Sequence, residues 1–319
     1  MSIKRVFMTG GGGAGTVAAA KFLKKSGKYK IILGDMDPLA VGFKFADLSY
    51  VLPAAISDDF LPFVSDIIKK HEVDVFIPLV DEEILKSYSL LKEFPNLLLL
   101  LPDQRFSSIV LDKYELVRQL KENHIPYPET FLASGVEEKS LNFPVIIKPR
   151  RGRGSRFVME IKSLEQLNAY MILYGFAHDE VVVQEKLEGK EYTVSVVVNK
   201  NGDVLAVVPK EIIKKIGITQ AAVTRYNKSI TDLGIEIQKK LHANGPFNMQ
   251  LILKEDGVPV IFEINPRYST TIALTIAAGV DEIGMLIDNA KISAGLSRFK
   301  TGLVMKRYYE HFYFKEGKQ

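Results

Sequence analysis

The 319-residue chain contains no cysteine, which excludes a disulfide framework, a cysteine nucleophile and a thiolate metal site. It also contains no apolar run approaching the roughly 20 residues that cross a bilayer as a helix. Its first residues lack the long apolar core and the small-residue cleavage site of a signal peptide. We therefore expect a cytoplasmic protein with no membrane partner.

The charged residues are nearly balanced, with 42 Lys and Arg against 38 Asp and Glu. The resulting net charge of +4 is too small and too scattered to indicate a nucleic-acid-binding protein, so we expect no nucleic-acid partner. The hydrophobic fraction of 47% is typical of a globular protein. A chain of this length favours about two domains.

Short apolar strands alternate with helical segments up to about Pro102. The predicted strands are residues 3–8, 31–33, 73–80 and 97–101, and the predicted helices are 17–26, 59–70 and 82–93. This alternation predicts a Rossmann-like parallel sheet with helices on both faces. The remainder predicts α+β structure. Its predicted elements are a helix at 112–123, strands at 143–148, 157–161, 181–184 and 192–199, a hairpin of 249–255 with 258–265, a helix at 281–296 and a strand at 302–314.

A first glycine-rich loop lies between a predicted strand and a predicted helix. Gly10, Gly12 and Gly15 fit the pattern G-x-G-x-x-G, and Asp35 follows 20 residues after Gly15, which is the nominal dinucleotide-binding arrangement. However, glycines let any ligand approach the backbone, and a helix N-terminus attracts any anion. Three alternatives stay open: a nicotinamide or flavin site, a loop that contacts a substrate through Gly12 and Gly13, and a plain tight turn.

A hairpin near the C-terminus has a register that its turn predicts. Asp-Gly at residues 256–257 is a strong two-residue turn signal. If these two residues form the turn, Gln250 lies opposite Glu263 and Pro259 lies opposite Lys254. The apolar face predicted by strand alternation comprises Leu251, Leu253, Val260, Phe262 and Ile264.

The other face of this hairpin is rich in oxygen ligands. Glu263 and Asn265 are two residues apart and share a face with Gln250, at a spacing of roughly 5 Å between Cβ atoms. Oxygen ligands with few charges suit Mg²⁺ that also binds phosphate oxygens. Arg267 follows the strand and could pair with a phosphate. The alternative is a solvated polar face on an amphipathic hairpin.

A second glycine-rich loop is strongly basic. The predicted strand at 143–148 ends on Lys148, and residues 148–156 carry five positive charges. Gly152, Gly154 and Ser155 lie within this segment, and we expect it to cover phosphates. A solvated charged face and a nucleic-acid contact are the alternatives.

Taken together, these motifs resemble the ATP-grasp enzymes. The hairpin sequence Glu263-Ile-Asn-Pro-Arg267 with Gln250 ahead of it resembles their metal-binding signature. Lys113 near a helix start, Lys148 before the second glycine loop, and the segment at 184–192 fit their ATP-binding motifs in the same order. The most similar subgroup is that of single-unit proteins related to carbamoyl-phosphate synthase, which includes the lysine ligase of the pyrrolysine pathway.

The resemblance implies a fold and a set of site residues. The fold implied is an ATP-grasp fold, with α/β and α+β parts, preceded by a Rossmann-like pre-ATP-grasp domain. The domains implied are residues 1–105, a first ATP-grasp part with a mobile lid at 106–184, and a metal-binding part at 185–319. The residues implied to bind ATP are Lys113, Lys148, Gly152, Gly154, Ser155, Gln184, Glu185, Leu187 and Glu191. Gln250, Glu263 and Asn265 would hold Mg²⁺ or Mn²⁺, and Lys148, Arg267 and Lys210 would assist catalysis.

The activity implied is ATP-dependent joining of a small carboxylate, such as an amino acid, to an amine through an acyl-phosphate. The partners implied are small molecules, and similar enzymes are often homodimers. The alternatives are carbamoyl-phosphate-like chemistry on bicarbonate, a dinucleotide-dependent oxidoreductase and a non-catalytic nucleotide-binding regulator.

Candidate substrate residues come from the N-terminal part and from one arginine. Asp81 and Glu82 follow a predicted strand, where parallel sheets bind ligands, and an acid there could hold an ammonium group. The alternative is that these acids only face the positive end of a helix. Asp35 has the same ambiguity. Arg225 could bind a substrate carboxylate or lie on the surface.

Overall fold

The computed structural model describes residues 3–136, 141–290 and 295–314. Three sheets organise this part of the chain. They occupy residues 4–99, 130–185 and 190–306 in order along the sequence. In the described ranges, no helix is long and apolar enough to cross a membrane.

The N-terminal sheet is five-stranded and parallel, in the order β3-β2-β1-β4-β5, which confirms the predicted Rossmann-like arrangement. Its elements are β1 (Lys4–Met8), α1 (Ala14–Lys25), β2 (Tyr29–Asp35), β3 (Leu48–Val51), α2 (Phe60–His71), β4 (Val75–Ile77), α3 (Asp81–Ser87), α4 (Leu90–Glu93) and β5 (Leu98–Leu99). Strand β3 was not predicted, because this short edge strand has no continuous apolar run. The single helix predicted at 82–93 is two helices, because the chain turns at residues 88–89.

The middle of the chain forms a four-stranded antiparallel sheet in the order β6-β9-β7-β8. Two helices precede it, and a third lies within it. The elements are α5 (Gln104–Val110), α6 (Lys113–Glu122), β6 (Thr130–Leu132), β7 (Val145–Pro149), β8 (Met159–Ile161), α7 (Leu164–Tyr174) and β9 (Val181–Glu185).

The C-terminal sheet is six-stranded and antiparallel, in the order β14-β13-β10-β11-β12-β15. Its elements are β10 (Lys190–Val198), β11 (Val204–Ile216), β12 (Ile218–Thr224), α8 (Lys228–Leu241), β13 (Phe247–Leu253), β14 (Pro259–Asn265), α9 (Ile272–Ala277), α10 (Glu282–Ile287) and β15 (Val304–Lys306). The helix predicted at 281–296 ends at Ile287, and residues 291–294 lie outside the described ranges. The strand predicted at 302–314 is limited to β15.

The six-stranded sheet carries an apolar core to which two helices contribute. Leu116 and Leu120 of α6 and Phe106 of α5 pack with strand residues such as Val194 and Met249. These helices therefore belong with the six-stranded sheet by packing, although they come before the four-stranded sheet in sequence. The start of α6 is capped by Asp112, whose side chain accepts from the amides of the first turn.

A buried acid fixes the start of α3 to the parallel sheet. The Glu83 carboxylate accepts a 2.5 Å hydrogen bond from the Thr9 hydroxyl, which itself accepts from the amide of Leu79. Burial raises the pKa of Glu83 from 4.5 to about 8, and the hydrogen bond from Thr9 opposes this shift only in part. Glu83 is therefore protonated in the folded protein at neutral pH.

This pKa predicts a pH dependence of stability. Between pH 4.5 and about 8 the folded chain keeps a proton on Glu83 that the unfolded chain has released, so the free energy of unfolding falls as the pH rises through this window. We expect Glu83→Gln to flatten that slope, because the amide cannot ionise. Urea unfolding at pH 5 and pH 8 measures it. If the free energy of unfolding fell equally between pH 5 and pH 8 in the wild type and in Glu83→Gln, the assignment of this pH dependence to Glu83 would be wrong.

Candidate active site

A cavity of about 380 Å³ lies between the four-stranded and six-stranded sheets. Its walls bring together residues from Lys113 to Thr270, which are 157 positions apart in the sequence. The predicted site residues that line it are Lys113, Lys148, Gly152, Gly154, Ser155, Gln184, Glu185, Leu187, Glu191, Gln250, Glu263, Asn265 and Arg267.

Lys148 is buried at the end of β7 and points into this cavity. Its Nζ donates to Oε1 of Gln184 at 2.8 Å and to the carbonyl of Phe262 at 3.3 Å. Burial lowers the pKa of Lys148 to about 8, although the Glu263 carboxylate opposes the shift. A cation held this way, with few competing partners, is available to an incoming anion.

The Gln184 side chain holds Lys148 in place. Both ends of its amide are engaged, because Oε1 accepts from Lys148 and Nε2 donates to the Thr130 hydroxyl at 2.9 Å. Gln184, which was predicted to contact the nucleotide, therefore positions Lys148. The Gln184 side chain also lines the cavity.

The arginine-rich loop, residues 150–156, closes one side of the cavity. The Nζ of Lys113 donates to the carbonyl of Gly152 at 2.9 Å, and Gly152 has a φ of +129° that residues with a side chain rarely adopt. Arg150 and Arg151 both pair with Asp112, at 2.8 and 3.2 Å. These two arginines therefore share the single negative charge of Asp112, which leaves fewer unpaired positive charges on the loop for nucleic acid.

The hairpin has the predicted pairing at the end that carries the candidate metal ligands, and a β-bulge lies between this end and the turn. Gln250 lies opposite Glu263, as the turn predicted. The register then shifts by one residue, so that Pro259 lies opposite Leu253, and the prediction that it faces Lys254 is wrong. The extra residue in the bulge is Phe262.

This bulge changes which side chains reach the cavity. Strand alternation predicted that Phe262 lies on the apolar face, whereas Phe262 and its neighbour Glu263 both line the cavity. A bulge re-aims a side chain in this way because two residues of one strand oppose one residue of the other. The ring of Phe262 lies 5.5 Å from the Nζ of Lys148.

The candidate metal ligands converge on the Glu263 carboxylate. Its Oε1 accepts from the amide groups of Gln250 at 3.1 Å and of Asn265 at 2.9 Å. In the described ranges, no three His, Cys, Asp or Glu side chains are grouped so that they could hold a metal ion. One carboxylate with two amide oxygens still fits Mg²⁺ that takes its remaining ligands from phosphate oxygens and water.

Arg267 is held beside these ligands by the N-terminal domain. Its Nε donates to Oδ1 of Asp81 at 2.9 Å, and its Nη2 lies 3.4 Å from Oδ1 of Asn265. Glu82 pairs with Arg153 of the arginine-rich loop at 2.8 Å. The prediction that Asp81 or Glu82 holds a substrate ammonium is therefore not supported, because both carboxylates already pair with arginines.

Lys210 is not part of the cavity wall. It is fully buried on β11, where its Nζ donates to the hydroxyls of Ser195 at 2.7 Å and Thr275 at 2.8 Å. Glu282 lies nearby, and its Oε1 is 3.5 Å from the Ser195 hydroxyl. Burial lowers the pKa of Lys210 and raises that of Glu282. The predicted catalytic role of Lys210 is wrong, because the side chain faces α9 and α10 instead of the cavity.

This correction predicts the effect of removing Lys210. We expect Lys210→Met to lower the free energy of unfolding by about 3 kcal/mol, because it leaves Glu282 buried without its counter-charge. Adding Glu282→Leu should restore most of the stability, since Ser195 and Thr275 lie within 3.3 Å of each other and can pair. Urea unfolding measures both variants. If Lys210→Met lowered the rate of ADP release a hundredfold with an unchanged free energy of unfolding, Lys210 would be a catalytic residue after all.

Four further predicted substrate residues lie outside the cavity lining. Arg225 pairs with Glu211 at 3.0 Å on the exposed side of β11. Asp35 accepts from the amide of Gly12 at 2.7 Å, so its carboxylate is engaged with the first glycine loop itself. The amide of Gly13 donates to the carbonyl of Gly10 at 2.8 Å. The amides of Gly12 and Gly13 are therefore engaged within the N-terminal domain itself.

The first glycine loop serves the packing of the N-terminal domain. A side chain at Gly15 would place its Cβ 3.1 Å from Cα of Thr270, and Ser269 and Thr270 line the cavity. Gly15 thus allows the first turn of α1 to approach the cavity wall closely.

Several cavity residues were not predicted. Lys215 pairs with Glu191 at 2.6 Å and lines the cavity with Thr219, Ser269 and Thr270. Glu191, the predicted ribose contact, therefore already has a cationic partner. The sequence feature that could have predicted Lys215 and Thr219 is the pair of apolar runs on either side of Gly217, because these runs form β11 and β12.

Comparison with known proteins agrees with this geometry. Residues 110–271, about half of the chain, match the ATP-grasp domain. The chain belongs to the ATP-grasp family. Residues 6–96 match the PylC-like N-terminal domain. The members of the ATP-grasp family are ADP-forming ligases, and the predicted family and fold class are confirmed.

Individual relatives of this ATP-grasp protein are distant. The carbamoyl phosphate synthase large chain of Pyrococcus furiosus is 25% identical over 290 residues, which are 80% of this chain and 26% of that one. The chain therefore spans about a quarter of the length of that relative.

Two solved structures show the fold. N5-carboxyaminoimidazole synthetase from Staphylococcus aureus complexed with ADP has a TM-score of 0.77 at 15% identity, over 97% of this chain and 83% of that one. L-amino acid ligase from Bacillus licheniformis has a TM-score of 0.68 at 15% identity, over 91% of this chain and 74% of that one.

Proposed function

We propose that this ATP-grasp protein is an ATP-dependent carboxylate–amine ligase that releases ADP and phosphate. The observation that carries the proposal is that Lys148 of the four-stranded sheet lines the same cavity as Glu263, Asn265 and Arg267 of the six-stranded sheet and the segment after it. A reaction between a carboxylate and the γ-phosphate of ATP brings two anions together. It therefore needs positive charge around one space, which a lysine, an arginine and oxygen ligands for a cation can provide.

The proposed nucleotide site uses both sheets. The phosphates of ATP lie between Lys148 and the arginine-rich loop, with Lys113 behind the loop. The adenine lies near Glu185 and Leu187, where the chain passes from one sheet to the other, and Glu191 is close to the ribose. Mg²⁺, or Mn²⁺, would be held by Glu263 and Asn265 with Gln250 and would neutralise phosphate charge.

The proposed reaction has two steps. A carboxylate oxygen attacks the γ-phosphorus, the bond to the bridging oxygen of ADP breaks, and an acyl-phosphate forms. The amine nitrogen then attacks the acyl carbon, phosphate leaves, and the nitrogen loses a proton. Lys148 and Arg267 stabilise the developing charge, while the arginine-rich loop excludes water from an intermediate that water would hydrolyse.

The substrates are proposed as a class. We propose a small-molecule carboxylate, with an amino acid first, and a small-molecule amine, which the shared fold with an L-amino acid ligase supports. The second candidate is carboxyphosphate chemistry on bicarbonate, supported by the similarity to carbamoyl phosphate synthase large chains. We also propose a homodimer. We propose in addition the division at residues 1–105, 106–184 and 185–319, because each part contains one of the three sheets, although α5 and α6 pack against the sheet of the last part.

The substrate class is tested by following ADP release from Mg²⁺-ATP against two panels. One panel contains amino acids in pairs, and the other contains bicarbonate with and without ammonia. ADP release that requires an amino-acid pair supports the ligase and identifies its substrates. Release with bicarbonate alone would contradict the amino-acid proposal and favour carboxyphosphate formation. Release with neither panel would contradict both.

A further inference from the structure

Two arginines of the cavity wall are held by neighbouring acids of the N-terminal domain. Arg267 follows the metal-binding hairpin, and Arg153 belongs to the arginine-rich loop; both line the cavity. Arg267 pairs with Asp81 at 2.9 Å, and Arg153 pairs with Glu82 at 2.8 Å. A single turn of α3 therefore contacts both sides of the phosphate end of the cavity.

The geometry of α3 explains how consecutive residues reach different partners. Successive side chains of a helix are about 100° apart around its axis, so three in a row point in three directions. Asp81 points to Arg267, Glu82 to Arg153, and Glu83 inward to Thr9. The buried contact of Glu83 fixes this turn to the end of β1, which gives the first two acids a rigid base.

The two arginine pairs differ in exposure. The side chains of Asp81 and Arg267 are 11% and 15% exposed, whereas those of Glu82 and Arg153 are 36% and 31% exposed. A buried pair keeps its geometry, while a half-exposed pair is weak and can open in water. The pair at Asp81 is thus suited to fix an orientation, and the pair at Glu82 is suited to hold a loop that must also release its ligand.

We propose that Asp81 and Glu82 are positioning residues: Asp81 aims Arg267 at the transferred phosphoryl group, and Glu82 holds the arginine-rich loop over the nucleotide through Arg153. The N-terminal domain would therefore complete the ATP site. This inference rests on the proposed function, because it assigns the phosphate end of the cavity to ATP.

The role of Glu82 is tested with Glu82→Gln, and Glu72→Gln is the matched control. Glu72 makes an Arg–Glu pair of the same 2.8 Å length with Arg5, on the same domain but away from the cavity. We expect Glu82→Gln to raise the KM for ATP about two- to fivefold, the scale of a lost exposed ion pair. Trypsin should also cleave the arginine-rich loop faster, and Mg²⁺-AMP-PNP should protect it less.

The charge-reversed pair separates positioning from general damage. Because these substitutions alter trypsin sites, chymotrypsin cleavage after the exposed Phe157, which follows the loop, is the readout for them. Glu82→Arg alone should speed this cleavage, and Glu82→Arg combined with Arg153→Glu should slow it again. A Glu82→Gln protein that matches Glu72→Gln in both KM and loop cleavage would overturn the assignment, as would a charge-reversed pair that is worse than either single variant.

Asp81→Asn is expected to act differently from Glu82→Gln. It should lower kcat about tenfold or more with little change in the KM for ATP, because Arg267 loses its orientation in the transition state. A change in KM alone would overturn this assignment. Protection of the loop by Mg²⁺-AMP-PNP needs no turnover, so it tests positioning separately from the proposed function. If the variants differed in loop protection as expected but the protein formed no ADP, the proposed function would be contradicted and the positioning role would still be supported.

Discussion

Replacing Glu263 by glutamine is expected to abolish Mg²⁺-dependent ADP formation, with a loss of about 10²-fold or more. Glu263 supplies the carboxylate on which Gln250 and Asn265 converge, so the variant would leave the cation three amides and no negative charge. The shape of the side chain is kept, and the fold should therefore be retained. A coupled assay of ADP release over a range of Mg²⁺ concentrations measures the effect.

The matched control for this variant is Glu255→Gln, which changes an exposed acid beside the turn of the same hairpin. It should form ADP at the wild-type rate and unfold at the same urea concentration. If Glu263→Gln kept its turnover and its Mg²⁺ dependence, the assignment of the metal ligands would be wrong. If both variants lost activity together, the hairpin would matter for folding and not for the cation.

Replacing Lys148 by methionine is expected to lower kcat/KM for ATP by about 10²-fold, the range seen when one charge-stabilising donor is removed. Lys148 is buried with Gln184 and a carbonyl as its hydrogen-bond partners, so no other cation occupies its position. Methionine fills similar space without the charge. Steady-state ADP release measures the loss, and the control is Lys162→Met, which changes an exposed lysine directly after β8.

The pKa of Lys148 adds a pH signature to this prediction. Because burial lowers the pKa to about 8, the ammonium form is lost as the pH rises above that value. The kcat/KM for ATP, which reports the free enzyme, should therefore fall above about pH 8 in the wild type. Lys148→Arg should not show this fall, because a guanidinium stays charged. A wild-type profile that is flat from pH 7 to 9 would contradict the proposed role.

The sequence predicted the chemistry of the hairpin because its signals are local. Strand alternation from the Asp-Gly turn at residues 256–257 predicts Gln250 opposite Glu263, and this pair is present. Next to the turn, however, the register is shifted by one residue, and the bulge at Phe262 restores the predicted pairing. The bulge at Phe262 was not predictable, since alternation assumes one residue opposite one residue. The Rossmann-like sheet was predicted for the same reason, because its strands and helices alternate along the chain.

The failures concern residues whose role depends on distant partners. Lys210 lies on β11, a strand that the sequence analysis did not identify, so the face it occupies could not be derived. Asp81 and Glu82 were placed correctly at the carboxyl edge of the sheet, but their partners come from 186 and 71 residues further along the chain. Such pairs follow from how the sheets pack, which the local pattern does not encode.

The most direct test of the ATP site is calorimetric titration of the protein with AMP-PNP and, separately, with NADH. AMP-PNP with Mg²⁺ should bind one molecule per chain, more weakly without Mg²⁺ and more weakly to Glu263→Gln. NADH should not bind, because the amides of Gly11, Gly12 and Gly13 already donate hydrogen bonds within the N-terminal domain. Tight binding of NADH with no binding of Mg²⁺-AMP-PNP would contradict the account and assign the first glycine loop to a dinucleotide.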